Sequence, residues 1–435
     1  MTRISALDVI DVRFPTSRWL DGSDAMNPEP DYSAAYAVLR LDDSDVTGQS
    51  LLFTTGRGNE VACAALRALA PYLVGRDAAS AVADIGAIAR ELTWDGQLRW
   101  LGPEKGIMHM AIGTVVNALW DLRCRFDDVP LWRLLSSMQP DELVRQIDFA
   151  YIDDALTPDD ALEILEAQAD GRAARVTALE ADGLRAYTTS AGWLGYDDDK
   201  VARLARAAVD DGFTMIKLKV GSDVASDVRR LKVARDAVGP QVRIALDANQ
   251  RWGVREAIEW MGQLVPFDPY WIEEPTHADD VLGHARIARA VASLPGGRCR
   301  VATGEVAANR VIFKQLLQAD AIGTCQVDAC RIGGVNEVLS VLLMAAKFGV
   351  PVCPHAGGVG LCEYVQHLSI FDYLRVGTSL DNRMIEYVDH LHEHFVDPVV
   401  VTGGRYRLPT EPGYSVAMKP ESVARYSFPD GPAWR

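Results

Sequence analysis

The sequence of 435 residues lacks any hydrophobic run that is long enough to cross a membrane. Its longest apolar stretch, residues 338–346, ends at Lys347, whereas a transmembrane helix needs roughly 20 apolar residues. The amino terminus alternates apolar and polar residues as a strand does, without the continuous apolar segment of a signal peptide. We therefore expect a cytoplasmic protein without membrane contacts.

The sequence is also short of positive charge and of closely spaced cysteines. Its 44 Lys and Arg residues face 60 Asp and Glu residues, and the net charge of −16 disfavours attraction to nucleic acid or to anionic membranes. A small anionic substrate is still compatible, because a metal ion or a lysine pair can reverse the sign inside one cleft. The seven cysteines are dispersed and form no C-x-x-C pair, which predicts buried free thiols.

Hydrophobic periodicity predicts two domains and a returning tail. Residues 1–130 combine three alternating runs with later helical patterns and predict an α+β capping domain. Residues 131–390 open with a helical lead-in to about residue 184 and then alternate strands with amphipathic helices. Residues 391–435 are strand-like and turn-rich, and we expect this tail to pack back on the capping domain.

The alternation after residue 184 predicts an α/β fold, a modified TIM barrel of the (β/α)7β type. In such a barrel each parallel strand is followed by a crossover helix, and the active site lies at the carboxyl ends of the strands. A less regular eighth strand is expected near residues 373–378. The other seven predicted strands are 186–190, 215–220, 243–248, 270–274, 301–305, 321–328 and 350–355.

A ladder of ionisable residues follows this repeat. Successive members lie between 23 and 32 residues apart, about the length of one strand, one helix and two loops. The spacing therefore predicts one catalytic group per repeat, all directed at one pocket. The members are Lys219, Asp247, Glu273, Glu305, Asp328, His355 and Glu386.

The middle of the ladder predicts a metal site. Asp247, Glu273 and Glu305 close three successive strands, and three converging carboxylates repel one another unless a cation lies between them. Ligation by oxygen alone suits Mg²⁺. The alternative is that the carboxylates are unrelated helix caps or surface ion pairs.

The two ends of the ladder predict acid–base groups. Lys217 and Lys219 are two residues apart on one strand and face the same side, so each disfavours the charged form of the other and favours a neutral base. Asp328 and His355 end adjacent strands, where the carboxylate can orient the imidazole. Two salt-bridged lysines on an edge strand and a structural histidine are the alternatives.

Several short motifs resemble the enolase superfamily. They are D-A-N-Q-R-W at 247–252, W-I-E-E-P at 271–275, T-G-E at 303–305 and P-H-A-G-G-V-G-L at 354–361. Within that superfamily the chain is most similar to the mandelate racemase-like subgroup and, there, to the L-fuconate dehydratases. The longer segments that carry this likeness are 22–36, 95–106, 187–196, 313–320 and 385–395.

The resemblance implies a Mg²⁺-dependent dehydratase with one metal ion per active site, which converts L-fuconate to 2-keto-3-deoxy-L-fuconate and water. Lys219 would abstract the α-proton, Mg²⁺ would stabilise the enediolate, and His355, oriented by Asp328, would assist loss of the 3-hydroxyl. The metal ligands would be Asp247, Glu273 and Glu305. The substrate contacts would be Gly22, Ser23, Asp24, Tyr32, Lys217, Asn249, Ala356, Gly357 and Glu386.

The chain departs from that family at two places. Residues 306–308, Val-Ala-Ala, stand where polar side chains are expected and affect the prediction of substrate, while 293–299 resembles a local insertion. A dehydratase of another aldonic or aldaric acid and an epimerase on the same scaffold are therefore alternatives. So are a Schiff-base aldolase and a non-catalytic sugar-acid-binding protein. We expect a homo-oligomer that binds a small acid sugar.

Overall fold

The fold begins with a capping domain in which a meander packs on helices. The computed structural model describes residues 2–294 and 298–435, so 295–297, within the predicted insertion, lie outside the described residues. Strands β1 (Ile4–Arg13), β2 (Ser33–Leu41) and β3 (Gly48–Thr54) pair antiparallel in chain order, as predicted. The helices are α1 (Asn59–Leu69), α2 (Ala78–Ala83), α3 (Ile85–Trp94), α4 (Gly96–Trp100), α5 (Gly106–Phe126), α6 (Leu131–Ser137) and α7 (Pro140–Gln146).

The second domain is the predicted barrel. Its parallel strands are β4 (Leu184–Thr188), β5 (Met215–Lys219), β6 (Arg243–Asp247), β7 (Pro269–Glu273), β8 (Arg300–Thr303) and β9 (Thr324–Cys325). A single parallel bridge joins Cys325 to Val352, and β10 (Ile385–Tyr387) pairs with β4. The accompanying helices are α8 (Pro158–Ala167), α9 (Arg172–Asp182), α10 (Asp198–Asp210), α11 (Val224–Val238), α12 (Val254–Leu264), α13 (Val281–Ala292), α14 (Arg310–Gln318), α15 (Val335–Lys347) and α16 (Leu361–Phe371).

The eighth strand was predicted at the wrong position. Residues 372–376 continue α16 as one π-helical segment, and β10 supplies the strand that pairs with β4. All five residues of that segment are buried, including Asp372 and Arg375, and five residues are too few to establish a helical period from the sequence. The actual strand has only three residues, and its middle one is the ladder carboxylate Glu386.

The carboxyl-terminal tail returns in two steps. A hairpin of β11 (Val401–Thr402) and β12 (Arg405–Tyr406) first adds antiparallel to β4 at the barrel. The chain then reaches the capping domain, where the Tyr414 amide donates to Asp121 at 2.7 Å and helix α17 (Pro420–Tyr426) follows. The tail also contacts the cap before the hairpin, where the His394 ring stacks on Phe14 with centroids 4.6 Å apart.

Helix α5 joins the two domains and is buried along most of its length. Asn117 donates to the Ala329 carbonyl and accepts from the Val335 amide, so it binds the loop between β9 and α15. A Cβ at Gly113 would lie 2.1 Å from the Ile332 carbonyl oxygen, and glycine therefore permits the close approach of helix and loop. This contact fixes the cap over the carboxyl end of the barrel.

A buried ion network strengthens the same joint. The Arg310 guanidinium, at the start of α14, contacts Glu104 of the cap at 2.8 Å and Glu337 of the barrel at 3.3 Å. Glu337 also contacts His109 of α5 at 2.7 Å.

Among the described residues, no helix combines the length and hydrophobicity that a bilayer span requires.

The network predicts the effect of one substitution on stability. Arg310→Met should lower the free energy of unfolding by about 3 kcal/mol, because Glu104 and Glu337 lose the buried cation that they share and keep only Arg99 and His109 as partners. Chemical denaturation measures the loss. Arg255→Met is the matched control, since the Arg255 side chain is 91% exposed, and it should change stability by less than about 0.5 kcal/mol. Equal losses in both variants would contradict this account of the joint.

Candidate active site

The predicted metal ligands lie in register along the barrel rim. Lys219 pairs with Asp247 across β5 and β6, and Asp247 pairs with Glu273 across β6 and β7. Glu305 follows two residues after β8. Because adjacent parallel strands end together at this edge, their terminal side chains converge there. The ladder spacing therefore predicted the spatial order of these residues.

Both lysines are paired with carboxylates. The Lys217 ammonium is fully buried and lies 2.7 Å from Glu273 and 2.8 Å from Glu386. The Lys219 ammonium donates to Asp247. Lys217 therefore lies below the pocket floor, where it holds two carboxylates together, while Lys219 faces the cavity.

The expectation of a lysine made neutral by its neighbour does not match this geometry. Burial lowers the pKa of Lys219, but the attraction of Asp247 outweighs burial and the repulsion by Lys217, so its pKa is raised. Burial also lowers the pKa of Lys217, but the attraction of Glu273 and Glu386 outweighs it, so the pKa of Lys217 is raised as well. A divalent cation on the carboxylates would offset this attraction and favour the neutral form of Lys219.

His355 has the environment of a general acid. Its Nδ1 lies 2.7 Å from Asp328, and the Cys330 amide donates to the same carboxylate at 2.6 Å and fixes its position. Burial lowers the pKa of His355, but Glu305, Asp328 and Glu386 together raise it to about 9. The imidazole is therefore protonated near neutral pH and can give up a proton from Nε2.

Three carboxylates fit a hard divalent cation. Asp247, Glu273 and Glu305 each offer an oxygen within 4.8 Å of the others. The buried Oε2 of Glu305 makes no hydrogen bond, and burial with the neighbouring Asp247 raises the pKa of Glu273 to about 8. That oxygen lies 3.4 Å from His355 Nε2 without a hydrogen bond to it. An oxygen without a hydrogen bond and a carboxyl with a raised pKa indicate an excess of negative charge at the rim. The donor set, all oxygen, suits Mg²⁺.

A cavity of about 110 Å³ opens above this rim. Tyr32 and Phe53 meet edge to face with ring centroids 5.1 Å apart, and together they form part of its cap side. A Cβ at Gly22, whose φ is +82°, would lie 2.5 Å from the Tyr32 ring, so the turn needs glycine. The predicted site residues that line the cavity are Gly22, Asp24, Tyr32, Lys219, Asn249, Glu305, Asp328, His355, Gly357 and Glu386.

Three predicted substrate contacts lie elsewhere. Ser23 is buried and binds the loop after β4, because its hydroxyl accepts from the Gly195 amide at 3.0 Å. The Ala356 amide donates to Glu386 at 2.8 Å and is not free to bind an anion. Lys217 lies below the floor, as described above. Sequence position alone does not reveal which way a loop side chain or amide points.

Several lining residues were not predicted. Phe53, Thr55 and Met110 come from the capping domain, and Trp193, Cys330 and Arg331 come from loops that follow barrel strands. Arg331 donates from Nε to the Glu305 carbonyl at 3.1 Å and contacts Met110. None of them follows the strand repeat, so the spacing that revealed the ladder carries no signal for them. The motif YTTSAGW did mark the segment that contains Trp193.

Two family models match the chain. Residues 28–136 match the mandelate racemase / muconate lactonizing enzyme N-terminal domain, and residues 200–422 match the enolase C-terminal domain-like family. Together these matches include most of the cap and of the barrel. They agree with the division of the chain into a cap and a barrel.

Individual relatives cover nearly the whole chain. Human mitochondrial enolase superfamily member 1 is 54% identical over 434 residues, which are 100% of this chain and 97% of that protein. Its crystal structure superposes with a TM-score of 0.97 and covers 99% of this chain and 98% of that one. The L-galactonate dehydratase of Hypocrea jecorina is 52% identical over 429 residues, 98% of this chain and 94% of that protein.

A more distant solved structure contains the metal. L-talarate/galactarate dehydratase from Salmonella typhimurium LT2, liganded with Mg and L-lyxarohydroxamate, has a TM-score of 0.75 and 25% identity. The match covers 98% of this chain and 93% of that one. A Mg²⁺ ion in a related barrel agrees with the donor set found at this rim.

The raised pKa of Glu273 predicts how metal binding depends on pH. Below about pH 8 the carboxyl holds a proton that Mg²⁺ must displace, so the affinity should rise with pH up to that value and then level off. Calorimetric titrations in two buffers of different protonation enthalpy count the released protons. Asp236→Asn, which removes an exposed carboxylate on α11, is the control and should bind Mg²⁺ like the wild type. An affinity independent of pH below 8, with no proton release, would contradict the interpretation.

Proposed function

The chain belongs to the mandelate racemase / muconate lactonizing enzyme family of the enolase superfamily, and we propose that it is a Mg²⁺-dependent acid-sugar dehydratase with L-fuconate as its preferred substrate. The observation that carries the proposal is the placement of Lys219 and the His355–Asp328 pair on opposite sides of one carboxylate rim. Elimination of water needs both a base for the α-proton and a proton donor for the leaving hydroxyl. The names of two relatives, L-galactonate dehydratase and L-talarate/galactarate dehydratase, support the reaction class.

In the proposed reaction Lys219 accepts the proton from the carbon next to the substrate carboxylate. Mg²⁺ held by Asp247, Glu273 and Glu305 would supply electrostatic stabilisation of the negative charge that develops there. Lys217 holds Glu273 and Glu386 in place from below. His355 then gives its Nε2 proton to the 3-hydroxyl, which leaves as water, and the enol product becomes a 2-keto-3-deoxy acid.

Proton transfer at His355 depends on Asp328. The carboxylate accepts from Nδ1, so the imidazole keeps one orientation with Nε2 toward the cavity. Burial lowers the pKa of the imidazole, and Glu305, Asp328 and Glu386 raise it; Mg²⁺ on Glu305 would remove the first of these attractions, while the hydrogen bond to Asp328 would remain. The imidazole would then still be charged before it donates, and the rate should fall at alkaline pH as this proton is lost.

The far wall of the cavity supports a monoacid with an apolar end. Phe53 and Met110 are apolar, and none of the described cap residues that line the cavity is cationic. L-Fuconate is the 6-deoxy form of L-galactonate, and its terminal methyl group would contact such a wall favourably. A second carboxylate at that end would find no cation among the described cap residues.

An aldaric acid is the second candidate substrate class, and Arg331 is the observation that favours it. This guanidinium lines the cavity and is held by the Glu305 carbonyl, which leaves further N–H groups for a ligand. Guanidinium groups bind carboxylates in a bidentate geometry. Turnover of monoacids and diacids distinguishes the two classes.

Substrate preference gives one testable prediction. With Mg²⁺, kcat/KM should be about tenfold higher for L-fuconate than for L-galactonate, because one hydroxyl against an apolar wall costs about that factor. It should be lower still for galactarate. A 2-keto-acid assay over aldonic and aldaric acids measures the order. Diacids turned over faster than L-fuconate would overturn the preferred substrate but keep the reaction class.

Two substitutions should separate the two proton transfers. Lys219→Ala should abolish both dehydration and exchange of the α-proton in D₂O. His355→Asn should lower dehydration by about 10²- to 10⁴-fold while the α-proton still exchanges, because the base remains. Product assays and NMR of recovered substrate measure these effects.

Lys232→Ala, at an exposed lysine on α11, is the matched control and should leave both rates unchanged. Turnover of every acid sugar unaffected by Lys219→Ala would refute the mechanism. Exchange without a keto product in the wild type would instead identify an epimerase. Tight binding of an acid sugar without either reaction would identify a binding protein.

A further inference from the structure

Arg230 on helix α11 is a buried cation that the proposed reaction does not use. Its side chain is only 4% exposed, and in the described part of the chain no carboxylate forms an ion pair with it. Burial lowers its pKa. A guanidinium in such a place is unfavourable unless its donors are satisfied, so its hydrogen-bond partners indicate its role.

All of its hydrogen bonds go to one loop after β4, residues 192–196, which we name the support loop. Arg230 donates to the carbonyls of Tyr196 at 2.8 Å, Trp193 at 3.0 Å and Gly192 at 3.2 Å. Three carbonyls of a short loop thus converge on one planar cation. Such a fork of donors fixes the loop at several points at once.

The support loop lies against β5, the strand that carries the proposed base Lys219. The Gly192 carbonyl accepts from the Lys219 amide at 2.9 Å, and a Cβ at Gly192 would lie 2.1 Å from the Lys217 carbonyl oxygen. The Trp193 ring lies 5.7 Å from the Lys219 ammonium and lines the cavity. A shift of the loop would therefore move the indole beside the base.

The support loop also holds the cap segment 20–24, which we name the substrate loop. The Leu194 amide donates to the Ser23 carbonyl at 3.0 Å, and the Gly195 amide donates to the Ser23 hydroxyl at 3.0 Å. That hydroxyl donates in turn to the Leu20 carbonyl at 2.6 Å. The Tyr196 hydroxyl donates to Asp21. Both neighbours of Ser23 in the chain line the cavity.

We propose that Arg230 is a positioning residue that acts through the support loop to hold the substrate loop over the cavity. It touches neither the rim nor the cavity. One of its acceptors, Gly192, carries the link to Lys219, and the other two, Trp193 and Tyr196, flank the two residues whose amides bind Ser23. Ser23 then connects the cap to the barrel through its hydrogen bonds to the support loop, and it is not a substrate contact. This inference rests on the proposed function for its kinetic consequence and on the contacts alone for its structural one.

The kinetic test is Arg230→Met, compared with Arg229→Met. Arg229 is the next residue on the same helix, but its side chain is 59% exposed and pairs with Asp198 at 2.9 Å on the surface. Arg230→Met should raise KM for the acid sugar by about tenfold, because a misplaced loop weakens substrate binding. It should change kcat less than about threefold and leave the pH profile of kcat unchanged, since the reacting groups stay. Arg229→Met should match the wild type.

A second measurement needs no substrate. Hydrogen–deuterium exchange of the Mg²⁺-loaded full chain should be about tenfold faster in residues 20–24 and 192–196 of Arg230→Met, with the strands of the barrel unchanged. If that variant does not fold, Ser23→Ala tests the same link without removing the buried cation. It should raise KM and speed exchange of the substrate loop in the same way.

The double variant Ser23→Ala, Arg230→Met checks that both residues act on one contact. Its KM should be no more than about twofold above that of the worse single variant, because two substitutions that remove the same contact do not have additive effects. Multiplying effects, or unchanged exchange in residues 20–24 of folded Arg230→Met, would overturn the inference. If the wild type dehydrates no acid sugar, the proposed function fails, and the exchange data still decide the role of Arg230.

Discussion

The balance of charge at the barrel rim is the constraint on which the site depends. Three cationic groups there, Lys217, Lys219 and His355, contact five carboxylates, so two negative charges remain when all of them are ionised. The carboxylates are those of Asp247, Glu273, Glu305, Asp328 and Glu386. Buried charge without a partner is costly, and the excess falls where the protein leaves Glu305 unsatisfied and raises the pKa of Glu273. One divalent cation would cancel the excess. Glu274, buried beside Glu273, adds little to it because burial and its acidic neighbours raise its pKa well above the usual range.

The same charge balance gives the proposed acid and the proposed base different protonation states. Lys217 contacts the carboxylates of Asp247, Glu273 and Glu386. These three contacts keep its ammonium charged and give it a structural role. Lys219 contacts only Asp247 among these carboxylates, so a cation bound to Asp247 would weaken this pairing and favour the neutral lysine. His355 lies across the rim, where its hydrogen bond to Asp328 favours the protonated imidazole. Two lysines of the same strand thus acquire different roles from their partners and not from their own chemistry.

Sequence reasoning reached the rim because each rim residue terminates one unit of a repeat. Regular spacing determined their order, and the pairing of Lys219 with Asp247 and of Asp247 with Glu273 follows from strand register. It failed where no repeat applies. Residues 372–376, which overlap the predicted eighth strand, are helical and buried, and Ser23 is turned away from the cavity because the support loop holds it. Phe53 and Met110 face the cavity only through packing between domains, which no local pattern encodes.

The central claim is that the metal ion controls the protonation of Lys219. The direct measurement is the pKa of this lysine with and without Mg²⁺, obtained from the pH dependence of its acetylation rate by mass spectrometry. We expect a pKa above the usual lysine value without Mg²⁺ and a fall of more than about one unit when Mg²⁺ is bound. A pKa that is the same in both states would contradict it.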